Sequence, residues 1–513
     1  MPTFDLTREP WLPCERPDGS IVELGLVHAF HQAHELRALR DGSPLVTAAL
    51  HRLLLAILHR CLGPPDLARW RELYAAGRFD ATVIDHYLTA GRQWFDLFHP
   101  ERPFYQVPGL KERYPADAAW RLVPERSNWG PGTHLFAHRD GRRPQVLAPS
   151  AAARHLVALQ AFVPGGLVKK AGEPDSASAG PLNRGAVVLL RGESLFETLL
   201  LNLVTYAPEA DQPIAGHGRA DLPCWERPAP RLGPPRRPEG WLDLLTWQSR
   251  RLELVTDGAG AVSGVVLCVG ETLDGEGLLD PMVAYKRHPR LGFVPVEFDV
   301  ERVVWRDLHA LVRPLDGDTI APRALQQVAR RELAAVIPRE RRLMVDVLGQ
   351  RGDQAKILLV RGERFPVTPK LLADETCGAA VKAMLELCEE VASALHRALR
   401  VVARASLAPG ERKADEKKDV TPLVRSLGAE QAYWATLGGA FEAFLGVVTE
   451  DEPGACRDFD AALWAAAFTV YRAASAGLGT TAHVLKGAAL GEQSLWRARR
   501  ALTRQPEITE AQA

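Results

Sequence analysis

Cysteine is scarce and scattered in this chain: seven residues (Cys14, Cys61, Cys224, Cys268, Cys377, Cys388 and Cys456) among 513, an odd number, with no CxxC and no pair spaced for zinc. A disulfide framework and a structural zinc site are therefore not expected. Charge of one sign is also missing, since 63 Lys+Arg balance 63 Asp+Glu, so bulk electrostatics names no partner. No apolar run is seen that approaches the roughly 18 residues needed to cross a bilayer. The start, MPTFDLTREPW, carries Asp5 and Glu9 where a secretory signal needs a basic end followed by an apolar stretch. These absences predict a soluble, cytoplasmic chain with no membrane partner.

Catalytic signatures are equally thin. HExxH, a GxSxG elbow, GxxxxGK[ST] and a paired acidic nuclease motif are all missing from the sequence. His138-Arg139-Asp140 copies a kinase tripeptide, but no Asn stands five positions beyond Asp140 and no DFG follows, so chance accounts for it. The run GLGTTA at 477–482 joins two helical patterns, whereas a dinucleotide fingerprint needs a strand feeding a helix; a helix break with left-handed glycines is expected instead. His28, His31 and His34 would share a helix face, without the carboxylate or thiolate that would complete a metal site. No catalytic residue, metal or cofactor is expected. A triad assembled from distant residues leaves no trace in one sequence, so a metal-free enzyme and a purely structural helical scaffold stay open as alternatives.

A hydrophobic content of 46% supplies a sizeable core. In the first 370 residues TAALHRLLLAIL (47–58) reads as a buried helix, and 186–190, 252–255, 262–269, 293–300, 343–348 and 355–360 read as strands, in an order that lacks a repeating βα unit. The segment 164–185, PGGLVKKAGEPDSASAGPLNRG, reads as one long mobile loop, and proline-rich 223–240 as a surface crossing or joint. GQRGDQ (349–354) separates two strand candidates, which sets Gln354 at a hairpin end with Arg351 beside it in solvent. After Lys370 the texture changes to apolar residues at helical spacing in four stretches, the first about seven turns long, while 408–421 reads as a solvated loop. The predicted class is α+β: a mixed α/β domain over 1–370, then a four-helix bundle over 371–513.

The order of FDLTREPWLPCERPDG, LVTAALHRLLLAIL, WFDLFHPERPFYQV, HLFAHRD, the PGG loop, LLRGESLFETLLLNLV, TWQSRRLELV, DPMVAYKRHP and a terminal helical bundle resembles the CasA family, the large subunit of the type I-E Cascade complex of CRISPR immunity. The resemblance spans almost the whole chain and implies a non-catalytic DNA-recognition subunit. Its implied partners are the other Cascade subunits with their CRISPR RNA, double-stranded target DNA and a recruited helicase-nuclease. It also implies site residues. Gly165 and Gly166 match a glycine loop that reads the flanking motif from the minor groove. Lys286, with Arg287 beside it as the other available cation, matches a lysine finger, and Gln354 matches a duplex-opening wedge, with Arg351 beside it as a further DNA-binding residue. Phe136 in NWGPGTHLFAHRD matches an aromatic that docks on the RNA-handle end. Read without the resemblance, these are a flexible loop with solvated Lys169 and Lys170, a surface lysine, an exposed turn and a buried loop anchor.

Overall fold

The computed structural model describes residues 3–126, 146–206, 221–298, 317–353, 356–407 and 414–503, apart from 169, 173, 175 and 231, together with Leu308. The described residues form two compact units: one holds those up to 298 and 317–373, the other Leu308 and those from 374 onward.

The first unit opens on an antiparallel sheet of β1 (Leu12–Glu15), β2 (Ile21–Leu24) and β3 (Ala38–Leu39) in the order β2-β1-β3. The helix Pro44–Cys61 follows. Ser43 caps it by accepting from the Val46 amide, and Pro44 occupies the first turn, where no amide donor is needed. This helix has the length and hydropathy to cross a membrane, contrary to the expectation of no such run, but 83% of it is buried within the fold. It is a core helix, and its buried His51 and Arg52 mark it as such. A second buried helix, Pro149–Phe162, leads into the segment expected to be a mobile loop.

That segment is more ordered than its composition suggests. β4 (Asp117–Ala118) lies earlier in the chain, and within the loop β5 (Gly166–Leu167) pairs with β6 (Ser176–Ala177). β7 (Val187–Arg191) then enters the core with four buried residues in succession. β8 (Arg250–Thr256) and β9 (Val262–Val269) form a hairpin flanked by β4. β10 (Tyr285–His288) pairs with β11 (Gly292–Pro295) on one side and β12 (Thr319–Ile320) on the other. β13 (Leu343–Asp353) and β14 (Lys356–Val367) make the longest hairpin, with β13 also antiparallel to β7. The hairpin expected around GQRGDQ is therefore present, with strands longer than their apolar runs because cross-strand pairing carries them through the polar end. The proline-rich segment, expected as a surface crossing, contains a 3-10 turn at Cys224–Glu226 with Trp225 buried.

The second unit is a helical bundle. Its long helices are Glu375–Leu407, Ala429–Val447, Glu452–Ala476 and Ala482–Thr503. Val381, Leu385, Cys388, Val391, Leu395, Leu399 and Val402 are buried along the first of these, at the spacing that predicted it. Gly491 lets the last helix lie close: a Cβ there would stand 2.7 Å from Ala398 O. Residues 414–421 are not the solvated loop expected from their charge, since Glu416 holds both Arg400 and Arg404 and Glu416–Val420 form a π-type turn; 408–413 lie outside the described residues. Of the glycines at 477–482, Gly479 alone adopts positive φ, at 105°.

Candidate nucleic-acid interface

Strand direction brings several of the predicted residues to one end of β7. Leu348 of β13 lies antiparallel opposite Val187, and Val283 forms an antiparallel bridge to the same Val187. A strand residue has two edges, so these partners flank it. Two strands antiparallel to a common neighbour leave it at the same end. Arg351 and Lys286 each stand three residues further on, roughly 10 Å beyond Val187 at strand rise. The glycine segment enters β7 at that same end.

Buried polar groups fasten this end. Gln350, 1% exposed, donates from Nε2 to Phe162 O at 2.7 Å and to Asn183 Oδ1 at 3.0 Å. The hairpin is thereby tied to the residues from which the glycine segment departs and to which it returns. Arg250 is fully buried and donates to Pro164 O at 2.7 Å, Ser178 O at 2.6 Å and Ser249 O at 2.7 Å. Loss of hydration pulls its pKa down to about 10. Gln160 holds the Arg250 backbone at both its amide and its carbonyl, each at 2.9 Å. Backbone packing is equally close, because a Cβ on Gly349 would stand 3.1 Å from Gly185 O.

The individual residues depart from expectation in instructive ways. A Cβ on Gly165 would meet Ala179 N at 3.2 Å and Ala177 O at 3.3 Å, so glycine at 165 already has a reason inside its own hairpin. Gly166 has φ of 155°, in the region that side chains disfavour. Lys170 is not solvated: its ammonium donates to Pro115 O at 3.0 Å and pairs with Asp117 at 3.2 Å, with the side chain 7% exposed. Lys286 lies on the exposed part of β10, opposite Val294. Arg287 donates to Gly317 O at 2.9 and 2.7 Å and stacks over Phe293, so it closes its own sheet. Arg351 keeps its side chain 41% exposed, as expected, and is also ion-paired with Glu297. Phe136, Lys169, His138–Asp140 and Gln354 lie outside the described residues.

The histidine run is broken as well: its helix is Leu26–His31, His34 falls beyond it, and His31 pairs with Asp85 at 2.8 Å. Among the described residues no group of three or more His, Cys, Asp or Glu could hold a metal ion. Gln350, Gln160, Asn183 and Arg250 were missed by sequence reading. The available signal was a glutamine two residues past Leu348, on the same strand face, where an apolar residue would otherwise continue the buried stripe.

The sheet end, the mixed first unit and the helical second unit together define a protein class that comparison identifies. A family model described as CRISPR-associated protein Cse1 matches residues 5–473. The CRISPR-associated protein CasA/Cse1 of Thermus thermophilus is 36% identical over 512 residues, covering 96% of this chain and 97% of the relative. This chain belongs to the Cse1 (CasA) family. A crystal structure of CasA from Thermus thermophilus matches with a TM-score of 0.83 at 32% identity, over 97% of this chain and 99% of that one. A chain of a solved CRISPR RNA-guided surveillance complex shares the fold, with a TM-score of 0.78 at 24% identity, over 97% of this chain and 100% of that one.

Proposed function

We propose that this chain is the non-catalytic, cytoplasmic large subunit of a type I-E CRISPR-RNA-guided surveillance complex, that it reads the motif flanking a DNA target from the minor groove, and that it starts opening the duplex. The observation that carries the reading is the convergence of the Gly165–Gly166 loop, the Lys286 strand and the β13–β14 hairpin at one end of β7, fastened by Gln350 and Arg250. A minor groove about 6 Å wide admits backbone more readily than bulky side chains. A rigid loop beside a cationic strand suits it, and a projecting hairpin suits the adjacent step of prising strands apart. On this reading residues 1–370 form the DNA-recognition domain and 371–513 the helical bundle. Gln354 is the wedge, Lys286 a phosphate or groove contact, Arg351 a DNA contact beside the wedge whose guanidinium also pairs with Glu297, and Phe136 a contact to the RNA-handle end. Cleavage falls to a recruited helicase-nuclease.

The wedge role follows from energetics. Unstacking a base step takes on the order of a few kcal/mol while R-loop formation as a whole is nearly balanced, so one inserted amide can set the rate of initiation. In the reconstituted complex, Gln354→Ala is expected to slow opening of an intact duplex at least tenfold and to spare a target already melted beside the motif. Gly166→Leu is expected to weaken binding to both while assembly persists. Stopped-flow 2-aminopurine fluorescence reads both. Equal losses for Gln354→Ala on the two targets would remove the wedge, and unchanged binding by Gly166→Leu would return the loop to an ordinary surface role.

A further inference from the structure

A cavity of about 210 Å³ opens in the first unit, with Trp94, Phe104, Tyr105 and Trp225 in its walls and Gln248 among them. Tyr105 is the single non-glycine among the described residues with positive φ, at 56°. It takes the third position of a turn closed by Gln106 N donating to Pro103 O at 3.0 Å, where glycine or asparagine sits without strain. Its side chain holds it there: the hydroxyl bonds with Cys224 and Thr246, and the ring lies 4.8 Å from Phe104 and 6.0 Å from Trp225, centroid to centroid. Backbone strain is thus carried where it sets an aromatic wall. Gln248 is 7% exposed, and its carbonyl accepts from Glu271 N at 3.1 Å. Its side-chain amide has no hydrogen-bond partner among the described residues, whereas the buried amides of Gln106, Gln160 and Gln350 are bonded within the fold. Neither of its polar atoms is sealed from solvent, so the amide faces the cavity that it lines. The rim is electrically balanced: Arg227 and Arg236 meet Asp243 and Glu271, and exposed Arg102 has exposed Glu101 beside it.

We propose that this cavity binds one uncharged, planar nitrogen heterocycle that carries a hydrogen-bond donor and acceptor side by side, as a free nucleobase or nucleoside does. A primary amide offers one donor edge and one acceptor edge in a plane, and so pairs with such a lactam or amidine at two points. The aromatic walls supply ring contacts that depend little on which heterocycle enters. The volume lies below that of a drug-sized pocket and suits one ring system. A balanced rim offers no unmatched cation to a phosphate, which favours a neutral nucleoside over a nucleotide or a strand. None of the residues assigned to motif reading lines the cavity, so either proposal can fail without the other.

The test titrates the full chain with 2-aminopurine riboside, whose fluorescence falls when it stacks on aromatic rings. Saturable quenching is expected, with adenosine and uridine competing and with indole, which lacks the paired edge, weaker by about tenfold or more. Gln248→Leu is expected to weaken binding by about tenfold or more. Its melting temperature should hold or rise, because the native amide bonds nothing in the fold. Ala229→Trp, at an exposed position of the rim, is expected to abolish quenching by filling the entrance. Absence of saturable quenching, or full affinity in Gln248→Leu, overturns the proposal and leaves the amide to water alone. Equal competition by indole is as damaging, since the hollow would then take any apolar ring. Tighter binding of 2-aminopurine within a short oligothymidylate than as the riboside would give the site to a strand and overturn the free ligand. Should Gln248→Leu fail to fold, Ala229→Trp carries the test, and full affinity there is equally fatal.

Discussion

The two ends of β7 hold their surroundings by opposite means. Past Val187, neutral amides and one buried guanidinium grip backbone carbonyls: Gln350 on Phe162, and Arg250 on Pro164 and Ser178. Past Arg191, half-exposed guanidiniums grip carboxylates. Each bond lost at the first end strands a buried carbonyl, which is expensive, whereas water replaces much of what is lost at the second. Shape is therefore held firmly at the end proposed to read a groove, where a shift of an ångström matters. Charge is held more loosely past Arg191, where solvent shares in the ion pairs.

The contrast can be broken most forcefully at Arg250. Arg250→Met removes donors from three carbonyls and is expected to lower unfolding free energy by about 4 kcal/mol, measured by urea denaturation; a loss under about 1 kcal/mol would mean that the loop base is held otherwise.

A pH experiment probes beneath the other end. His51 is buried, its ring nitrogen bonded to Thr47 O at 2.7 Å. Desolvation first, and then the nearby Arg191, lower its pKa to about 4 from an ordinary 6.5. The unfolded chain thus binds the proton more readily. The stability from neutral His51 is complete above pH 6.5 and is lost as pH falls toward 4, by on the order of 3 kcal/mol. Thermal melts at about pH 7 and about pH 4.5 should show a smaller acid loss in His51→Gln than in the parent chain. Identical losses in both would assign the acid sensitivity elsewhere.

The smallest effect is expected at Arg364, where Arg364→Gln should change stability by less than about 1 kcal/mol because the pair with Asp346 is half-exposed and Arg191 remains beside the carboxylate. A larger loss would show that this ion-pair cluster is as structural as the buried amides, and would collapse the difference between the two ends.

How much of this was legible varied with the kind of force. The helix through Val381, Leu395 and Val402 was readable because burial imposes its period on the sequence. The hairpin around GQRGDQ was readable from two apolar runs and a turn signal. The ordering of 164–185 was not, because Arg250 supplies it from 72 and 86 residues away. Lys170 looked solvated for the same reason: its partner Asp117 is 53 positions distant. Arg351 and Glu297 likewise meet only in the folded chain.

Reading along the chain was enough for the division into a mixed and a helical part, the principal helices and strands, and membership of a family whose segments recur here in order. These follow from local periodicity and turn chemistry, which act over a few residues. Only in three dimensions do the glycine segment, the Lys286 strand and the hairpin leave β7 at one end while four arginines gather at the other. Strand direction and long-range ion pairing settle those placements, and both depend on partners that one-dimensional spacing does not bring together.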